Sequence, residues 1–349
     1  MNITKPKNDR MLRAARRQET DTTPIWIMRQ AGRYLPEYRA IREKVSFLEL
    51  CKTPELAAEV TVQPIRRLGV DAAVIFSDIL IPVEPMGMEL ELGDKGPHLP
   101  TPIRTEEQVR ALHSFDPMEG TGHLAEAIKL TRKELGDSVP VIGFAPAPFT
   151  LAAYMVEGGG SKSFIHIKRM LFERPKLAHE LFGKITEALI PYLKMQVEAG
   201  ASIVQIFDSW GGELGPRDFR TFSLPYVKRM VSELQSVGVP VIYFGTSMST
   251  LFPISKETGA DVLGVDWRID IDEARRIIGP DRAVQGNLDP LALFLPKEEL
   301  VERAEDIVRR AGKTGHIFNL GHGILPPTDP DQAKALVDAV HEAGRKLRA

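Results

Sequence analysis

Ile203-Val204-Gln205-Ile206-Phe207-Asp208-Ser209-Trp210-Gly211-Gly212 is the stretch on which the fold turns. Its first five residues are nearly all β-branched or aromatic. An acid, a hydroxyl and two glycines follow at once. A short run that is apolar on successive residues reads as a strand buried on both faces of a parallel sheet. The same pattern recurs on either side. Upstream stand Ile25-Trp26-Ile27-Met28, Ala72-Ala73-Val74-Ile75-Phe76 and Val141-Ile142-Gly143-Phe144. Downstream stand Val241-Ile242-Tyr243-Phe244, Val262-Leu263-Gly264-Val265, Ala283-Val284-Gln285-Gly286 and Ile317-Phe318-Asn319-Leu320. That makes eight candidate strands.

The stretches between them read as helices. Leu177, Leu181, Ile185, Leu189, Leu193 and Val197 recur every fourth residue and lay one apolar stripe along a long helix. Val301, Ala304, Ile307 and Val308 mark another after Pro296, and Ala333, Leu336, Val337 and Val340 a last one. Asp329-Pro330 suits the start of that last helix, because proline fits a first turn. Eight βα units leave a closed barrel or an open doubly wound sheet. A nucleotide-binding open sheet carries a glycine-rich turn after its first strand. Here the first run passes into Arg29-Gln30-Ala31-Gly32-Arg33 instead. The expected fold is therefore α/β: one (β/α)8 TIM-type barrel over residues 1–349, with a short N-terminal extension over about 1–22. Met88-Glu89-Leu90-Glu91-Leu92, followed by Gly93-Asp94-Lys95-Gly96, predicts a small hairpin insertion.

Composition narrows the function. The chain has 349 residues, 43% hydrophobic and 26% charged, with a formal charge of −2. Such a chain can bury a large core without staples, and it offers no global attraction for nucleic acid or an anionic membrane. Cys51 is the one cysteine, which excludes an internal disulfide and any zinc site with two thiolates. That fits a reducing cytoplasm. No apolar run reaches membrane-spanning length, and the first 21 residues carry no apolar signal core. Arg10, Arg13, Arg16 and Arg17 are expected on the wet face of a short helix.

In a barrel the active site lies at the carboxyl ends of the strands. Polar groups stand at nearly every exit: Arg29, Ser77-Asp78, Asp208-Ser209, Gly245-Thr246, Asp266-Trp267, Asn287-Leu288-Asp289 and Gly321-His322-Gly323, with Tyr154 shortly after the third run. The densest feature is RQAGRYLPEYRAIR at 29–42, which holds Arg29, Arg33, Arg39 and Arg42. Guanidinium groups grip carboxylates with paired hydrogen bonds and stay charged. Arg39 and Arg42 have an alternative as a solvated helix face paired with Glu37 and Glu43. Asp78 sits between apolar stretches, where a carboxylate is costly to bury without partners. It serves either as a turn cap or as a fixed negative charge aimed into the barrel mouth. His322 reads as a ligand contact, a proton donor or a turn residue. No phosphate loop, HExxH pair or GxSxG elbow occurs. From the residues alone, then, this is a barrel enzyme for a polycarboxylate with no visible cofactor site.

IWIMRQAGRYLPEYRAIR at 25–42 closely resembles the N-terminal signature of the uroporphyrinogen decarboxylases, and GFAPAPFTLAAYMVEGGGSK at 143–162 resembles their second. FSDIL, QIFDSW, QGNLDP and NLGHGILPPTDP look like further segments of that family, in the family's order. The resemblance runs from about Pro24 to the C-terminal helix. It implies a homodimeric cytoplasmic barrel needing neither metal nor organic cofactor. It also implies a cyclic tetrapyrrole substrate with four acetate and four propionate groups, whose acetates become methyls in coproporphyrinogen. Carried over residue by residue, Arg29 and Arg33 would meet substrate carboxylates, and Gln30, Ala31 and Gly32 would complete their loop. Phe47 would line the cleft. Asp78 would accept hydrogen bonds from the pyrrole N–H groups and face the ring cation. Tyr154, Ser209 and His322 would touch the macrocycle. Trp210 stands where the family varies and receives no role. The ring-proton donor stays open between Arg29, a water and a substrate carboxyl, a guanidinium being a poor acid. Two other functions use the same scaffold. Zinc-dependent corrinoid methyltransferases need a His-x-Cys pair and a second cysteine, which this chain lacks. A tetrapyrrole-binding protein without catalysis could dispense with Asp78.

Overall fold

The computed structural model describes residues 6–93 and 96–349. In chain order its strands are β1 (Ala73–Val74), β2 (Glu91–Gly93), β3 (Gly96–His98), β4 (Val141–Pro146), β5 (Ile203–Asp208), β6 (Val241–Gly245), β7 (Val262–Gly264), β8 (Ala283–Gln285) and β9 (His316–Ile317). Seven of them make one parallel sheet in the order β1-β4-β5-β6-β7-β8-β9. Each neighbour follows the last along the chain, as consecutive right-handed βα units require. The α/β barrel expectation is met.

The eighth stave is Ile25-Trp26-Ile27-Met28, and here the pattern misleads. It reads as an ordinary strand, yet it makes a single parallel bridge, Ile25 to Phe318. On one side Phe318 N–H donates to Pro24 O at 2.8 Å, and on the other Asp71 N–H donates to Ile25 O at 2.7 Å. The segment thus joins the last strand to the first. Three of its four own donors, however, go to side chains: Ile25 N–H to Asp71 (2.8 Å), Ile27 N–H to Gln30 (3.0 Å) and Met28 N–H to Asn319 (2.9 Å), while Trp26 N–H reaches Phe318 O at 3.4 Å. Side-chain acceptors satisfy the backbone in place of a ladder, so the stave closes the barrel without a regular strand.

The interior is apolar at its lower end. Ile142, Ile203, Ile242, Val262, Ala283 and Ile317 converge there with Met11, Leu12, Ala14 and Ala15. The last four come from helix Arg10–Ala15, whose apolar side stops the barrel floor. Arg13, Arg16 and Arg17 are exposed, as expected of a wet face. Arg10 departs from that expectation: it bonds Asp21, and at 3.1 Å it reaches Asp71. The long stripe forms helix Pro175–Ala199, with all six periodic residues buried. Helix Pro330–Arg348 begins where Asp329-Pro330 places it, with the Asp329 carboxylate capping Asp331 N–H at 2.9 Å. Helix Lys297–Ala311 also forms, burying Leu300, Ala304 and Val308. The hairpin pairs β2 with β3, Gly93 facing Gly96; the expected turn residues Asp94 and Lys95 lie outside the described residues. Its first strand starts at Glu91 rather than Met88, because Leu90 is drawn into the core. No helix among the described residues is long and apolar enough to cross a membrane.

Asp71 fastens this lower end. It is 1% exposed and takes hydrogen bonds from Asn8 (2.8 Å), Arg10 (3.1 Å), Ile25 N–H (2.8 Å) and His341 (2.7 Å). Burial alone would raise its pKa, but the bonds from His341, Asn8 and Ile25 outweigh burial and hold the carboxyl below its usual range. Its stabilisation is therefore complete above the unfolded carboxyl pKa and is lost as pH falls through the lower folded value. Asp71→Asn should cost roughly 3–5 kcal/mol near neutrality, the scale for breaking a buried charged contact. Melting curves at pH 7 and near pH 3 check this: the gap between variant and parent should be wide at the first and smaller at the second, closing as pH falls through the folded value. An equal gap at both would disprove the titration argument.

Candidate active site

The carboxyl ends of the strands open into one cleft with a cavity volume of about 340 Å³. Trp26, Phe144, Phe207 and Phe244 are among the apolar residues that line it. Phe207 meets Phe144 edge to face, with ring centroids 5.5 Å apart, and meets Phe244 at 6.1 Å. A row of amides runs inside the barrel: Trp26 Nε1–H donates to Gln285 at 2.8 Å, and Gln285 donates to Gln205 at 2.9 Å. The three phenylalanines were not singled out from the sequence. The available signal was their place, each being the last aromatic of an apolar run.

Eight of the ten expected site residues border this cleft: Arg29, Ala31, Gly32, Arg33, Phe47, Asp78, Ser209 and His322. Gln30 does not. Its amide is fully buried, accepting from Ile27 N–H and donating to Ala72 O at 3.0 Å. With Tyr34 Oη donating to Gln30 O at 2.8 Å, these bonds hold the loop from inside. Gln30 therefore shapes the arginine loop from inside, and its side chain does not line the cleft.

The four arginines of 29–42 divide in two. Arg39 donates to Arg33 O at 2.8 Å and to Tyr34 O at 3.1 Å. Arg42 donates to Val45 O and lies 6.0 Å from the Phe47 ring centroid. Neither pairs with Glu37 or Glu43; backbone carbonyls take them up instead. Arg29 and Arg33 are exposed in the cleft, and among the described residues neither guanidinium has a hydrogen bond or ion pair. Arg29 also has a left-handed backbone, φ +63°, unusual outside glycine.

Asp78 lies just past the end of β1. Its Oδ1 accepts from Leu80 N–H at 2.9 Å, so the turn-cap role is real. Its other oxygen meets no donor among the described residues. Burial raises the Asp78 pKa; Leu80 N–H and the Arg29 charge oppose the rise without cancelling it. Solvent reaches part of the residue, but the carboxyl sits deep among apolar walls, and that setting decides the direction. A poorly solvated carboxylate beside an arginine is a common arrangement in functional sites.

His322 is neutral. Burial, then the charges of Arg29 and Arg268, push its pKa down to about 4. An imidazole that is neutral at pH 7 can accept or donate a hydrogen bond but holds no acidic proton to give. Titrating its Cε1–H resonance should give a midpoint near 4, and Arg29→Ala should move the midpoint upward by removing one repelling charge. A midpoint near 6.5 in the unmodified chain would contradict this arrangement.

Tyr154 is not on the cleft wall, but it lies within the field of the site. Burial first and the Asp78 charge second push its phenol up to about 12. Its ring packs on Trp210 at 4.0 Å between centroids, with Phe164 at 5.0 Å on the Trp210 ring. Trp210, given no role from the sequence, is thus the platform for Tyr154. Asp208, next to Ser209, turns away from the cleft. Fully buried, it accepts from Tyr243 (2.6 Å), Thr150 (2.7 Å) and Ser223 (3.2 Å), and Thr150 in turn accepts Trp210 N–H at 3.2 Å. Cys51 is buried, and burial drives its thiol pKa up, far from a reactive thiolate. Among the described residues no group of three or more His, Cys, Asp or Glu is placed to hold a metal ion.

Comparison with known proteins bears on the whole chain. Residues 6–343 match the family model described as uroporphyrinogen decarboxylase. A uroporphyrinogen decarboxylase of Myxococcus xanthus is 72% identical over 341 residues, 98% of each chain. One from Carboxydothermus hydrogenoformans is 51% identical, covering 96% of each. One from Desulfotalea psychrophila is 53% identical, covering 97% of this chain and all of its own. Among solved structures, a methyltransferase from Methanosarcina mazei superposes with a TM-score of 0.83 at 22% identity, over 97% of this chain and 99% of its own. At that identity the likeness speaks for the fold alone.

Proposed function

The chain belongs to the uroporphyrinogen decarboxylase family, and from that premise we propose that it decarboxylates the four acetate side chains of uroporphyrinogen III, giving coproporphyrinogen III. Each turn breaks the bond between an acetate methylene and its carboxylate carbon. Carbon dioxide leaves, and the bonding pair flows into a pyrrole protonated on a ring carbon. A proton then converts the methylene to methyl, and the ring carbon gives up the proton it first took, which restores the pyrrole and leaves one proton consumed for each carbon dioxide released. Because the protonated ring is itself the electron sink, the reaction as proposed needs neither metal nor organic cofactor.

The observation that carries this reading is Asp78: a carboxylate with one unpaired oxygen, set deep in an apolar cleft beside Arg29. Its charge would accept the pyrrole N–H groups and face the ring cation, stabilising it where water is excluded. Arg29 and Arg33 would bind acetate and propionate carboxylates. We assign Asp78 and Arg29 to the reacting centre, with Ala31, Gly32, Arg33, Phe47, Ser209 and His322 as substrate contacts and Tyr154 as a polar neighbour. Gln30 enters as the support of the arginine loop. We further propose one (β/α)8 domain spanning 1–349, acting as a cytoplasmic homodimer.

The test is carbon dioxide release from uroporphyrinogen by protein that has been exhaustively chelated and dialysed. Turnover should persist. Activity that returns only on adding a metal or coenzyme would refute the cofactor-free reading, and binding without release would favour a tetrapyrrole carrier.

A further inference from the structure

Gly321 and Gly323 flank His322, and neither has the left-handed backbone that demands glycine. Their reason is space. A Cβ at Gly321 would stand 2.6 Å from the Trp267 backbone nitrogen and 2.8 Å from its Cε3. A Cβ at Gly323 would overlap Arg29 Cδ, and would lie 2.8 Å from its Cγ and 2.9 Å from its Nε. The three nearest atoms at 323 therefore all belong to one side chain, the cleft arginine. The two loops are also tied by backbone, Ile324 N–H donating to Met28 O at 2.9 Å.

We propose that Gly323 is a positioning residue for Arg29: the bare backbone at 323 forms the groove in which the Arg29 stem lies, and so fixes where the guanidinium stands in the cleft. This deepens, and rests on, the reading of Arg29 as a substrate-carboxylate contact. The backbone of Arg29 has a left-handed turn, φ +63°, and its side-chain stem lies against position 323. Without the groove the stem must leave that line, and the guanidinium must leave with it. The Arg29 charge acts on both Asp78 and His322, so its displacement would disturb the site on two sides. Small misplacements in a preorganised site can lower rates ~100-fold.

The test is a double-mutant cycle with Gly323→Ala and Arg29→Ala, read as kcat/KM for uroporphyrinogen, with melting curves. Gly323→Ala alone should lower kcat/KM by about ten- to a hundredfold. On the Arg29→Ala background the same change should cost less than about twofold, since no stem remains to displace. An equal loss on both backgrounds overturns the proposal and leaves the role of Arg29 intact. Normal kinetics in Arg29→Ala overturns the underlying reading of Arg29 instead. Should Gly323→Ala alone fail to fold, the double variant should recover the melting temperature of Arg29→Ala, because the overlapping atoms are gone. A double variant that still fails to fold would assign Gly323 to the loop itself and end the proposal.

Discussion

Asp78→Asn should abolish most of the turnover while leaving the protein at least as stable as before. The two halves of that result have one cause. The carboxyl's folded pKa is raised by burial, so the folded chain bears a cost for ionising it above the unfolded pKa. Asparagine removes the charge and keeps an oxygen for Leu80 N–H. The melting temperature near neutrality should therefore hold or rise. Below the unfolded carboxyl pKa, where both states are protonated, the difference should fade. The rate goes the other way. A preorganised group facing charge in the transition state is worth ~3–4 kcal/mol of barrier, a few hundredfold or more. Asp78→Glu keeps the charge but shifts it by one methylene and should retain partial activity, above that of the asparagine variant. Single-turnover decarboxylation on folded protein, with a melting curve for each variant, separates the cases. Normal turnover together with a lowered melting temperature would leave Asp78 as a turn cap only.

Arg29→Ala and Arg33→Ala should each lower kcat/KM by roughly ten- to a hundredfold, from ~1.5–3 kcal/mol per hydrogen bond to a charged partner. Both guanidinium groups face the cleft without a protein partner among the described residues, so their removal leaves substrate carboxylates unmatched. Arg16→Ala, on the exposed N-terminal segment, should leave kinetics unchanged. Arg39→Ala should act on stability, because Arg39 ties Arg33 O and Tyr34 O within its own loop. Raising the ionic strength should weaken substrate binding to the unmodified chain more than to Arg33→Ala, since one screened attraction is already gone. Similar slight effects at positions 16, 29 and 33 would reduce the cluster to a solvated face.

The order of the staves was legible because burial on both faces imprints a continuous apolar run on each, and apolar stripes mark the covering helices Pro175–Ala199, Lys297–Ala311 and Pro330–Arg348. The strand exits followed from that order, and with them Arg29, Asp78, Ser209 and His322. The resemblance in 25–42 and 143–162 added roles that residue patterns alone left open between a turn and a site.

Tertiary structure alone decided which of these side chains face the cleft. Four arginines share one short segment, but only the packing of that loop gives Arg39 and Arg42 to backbone carbonyls and leaves Arg29 and Arg33 in the cleft. Gln30 stands between two cleft residues in sequence and points into the core, because Ile27 N–H and Ala72 O require a partner there. The first stave reads as a strand, but acceptors at positions 71 and 319 satisfy its donors, and Trp26 bonds Gln285 from 259 residues away. Periodicity records whether a residue is buried; it carries no mark of the partner that meets it from so far along the chain. Gly323 makes the same point at the site itself: its neighbour His322 reads as a ligand contact, a proton donor or a turn residue, and only the Arg29 stem lying against Gly323 explains why no side chain stands there.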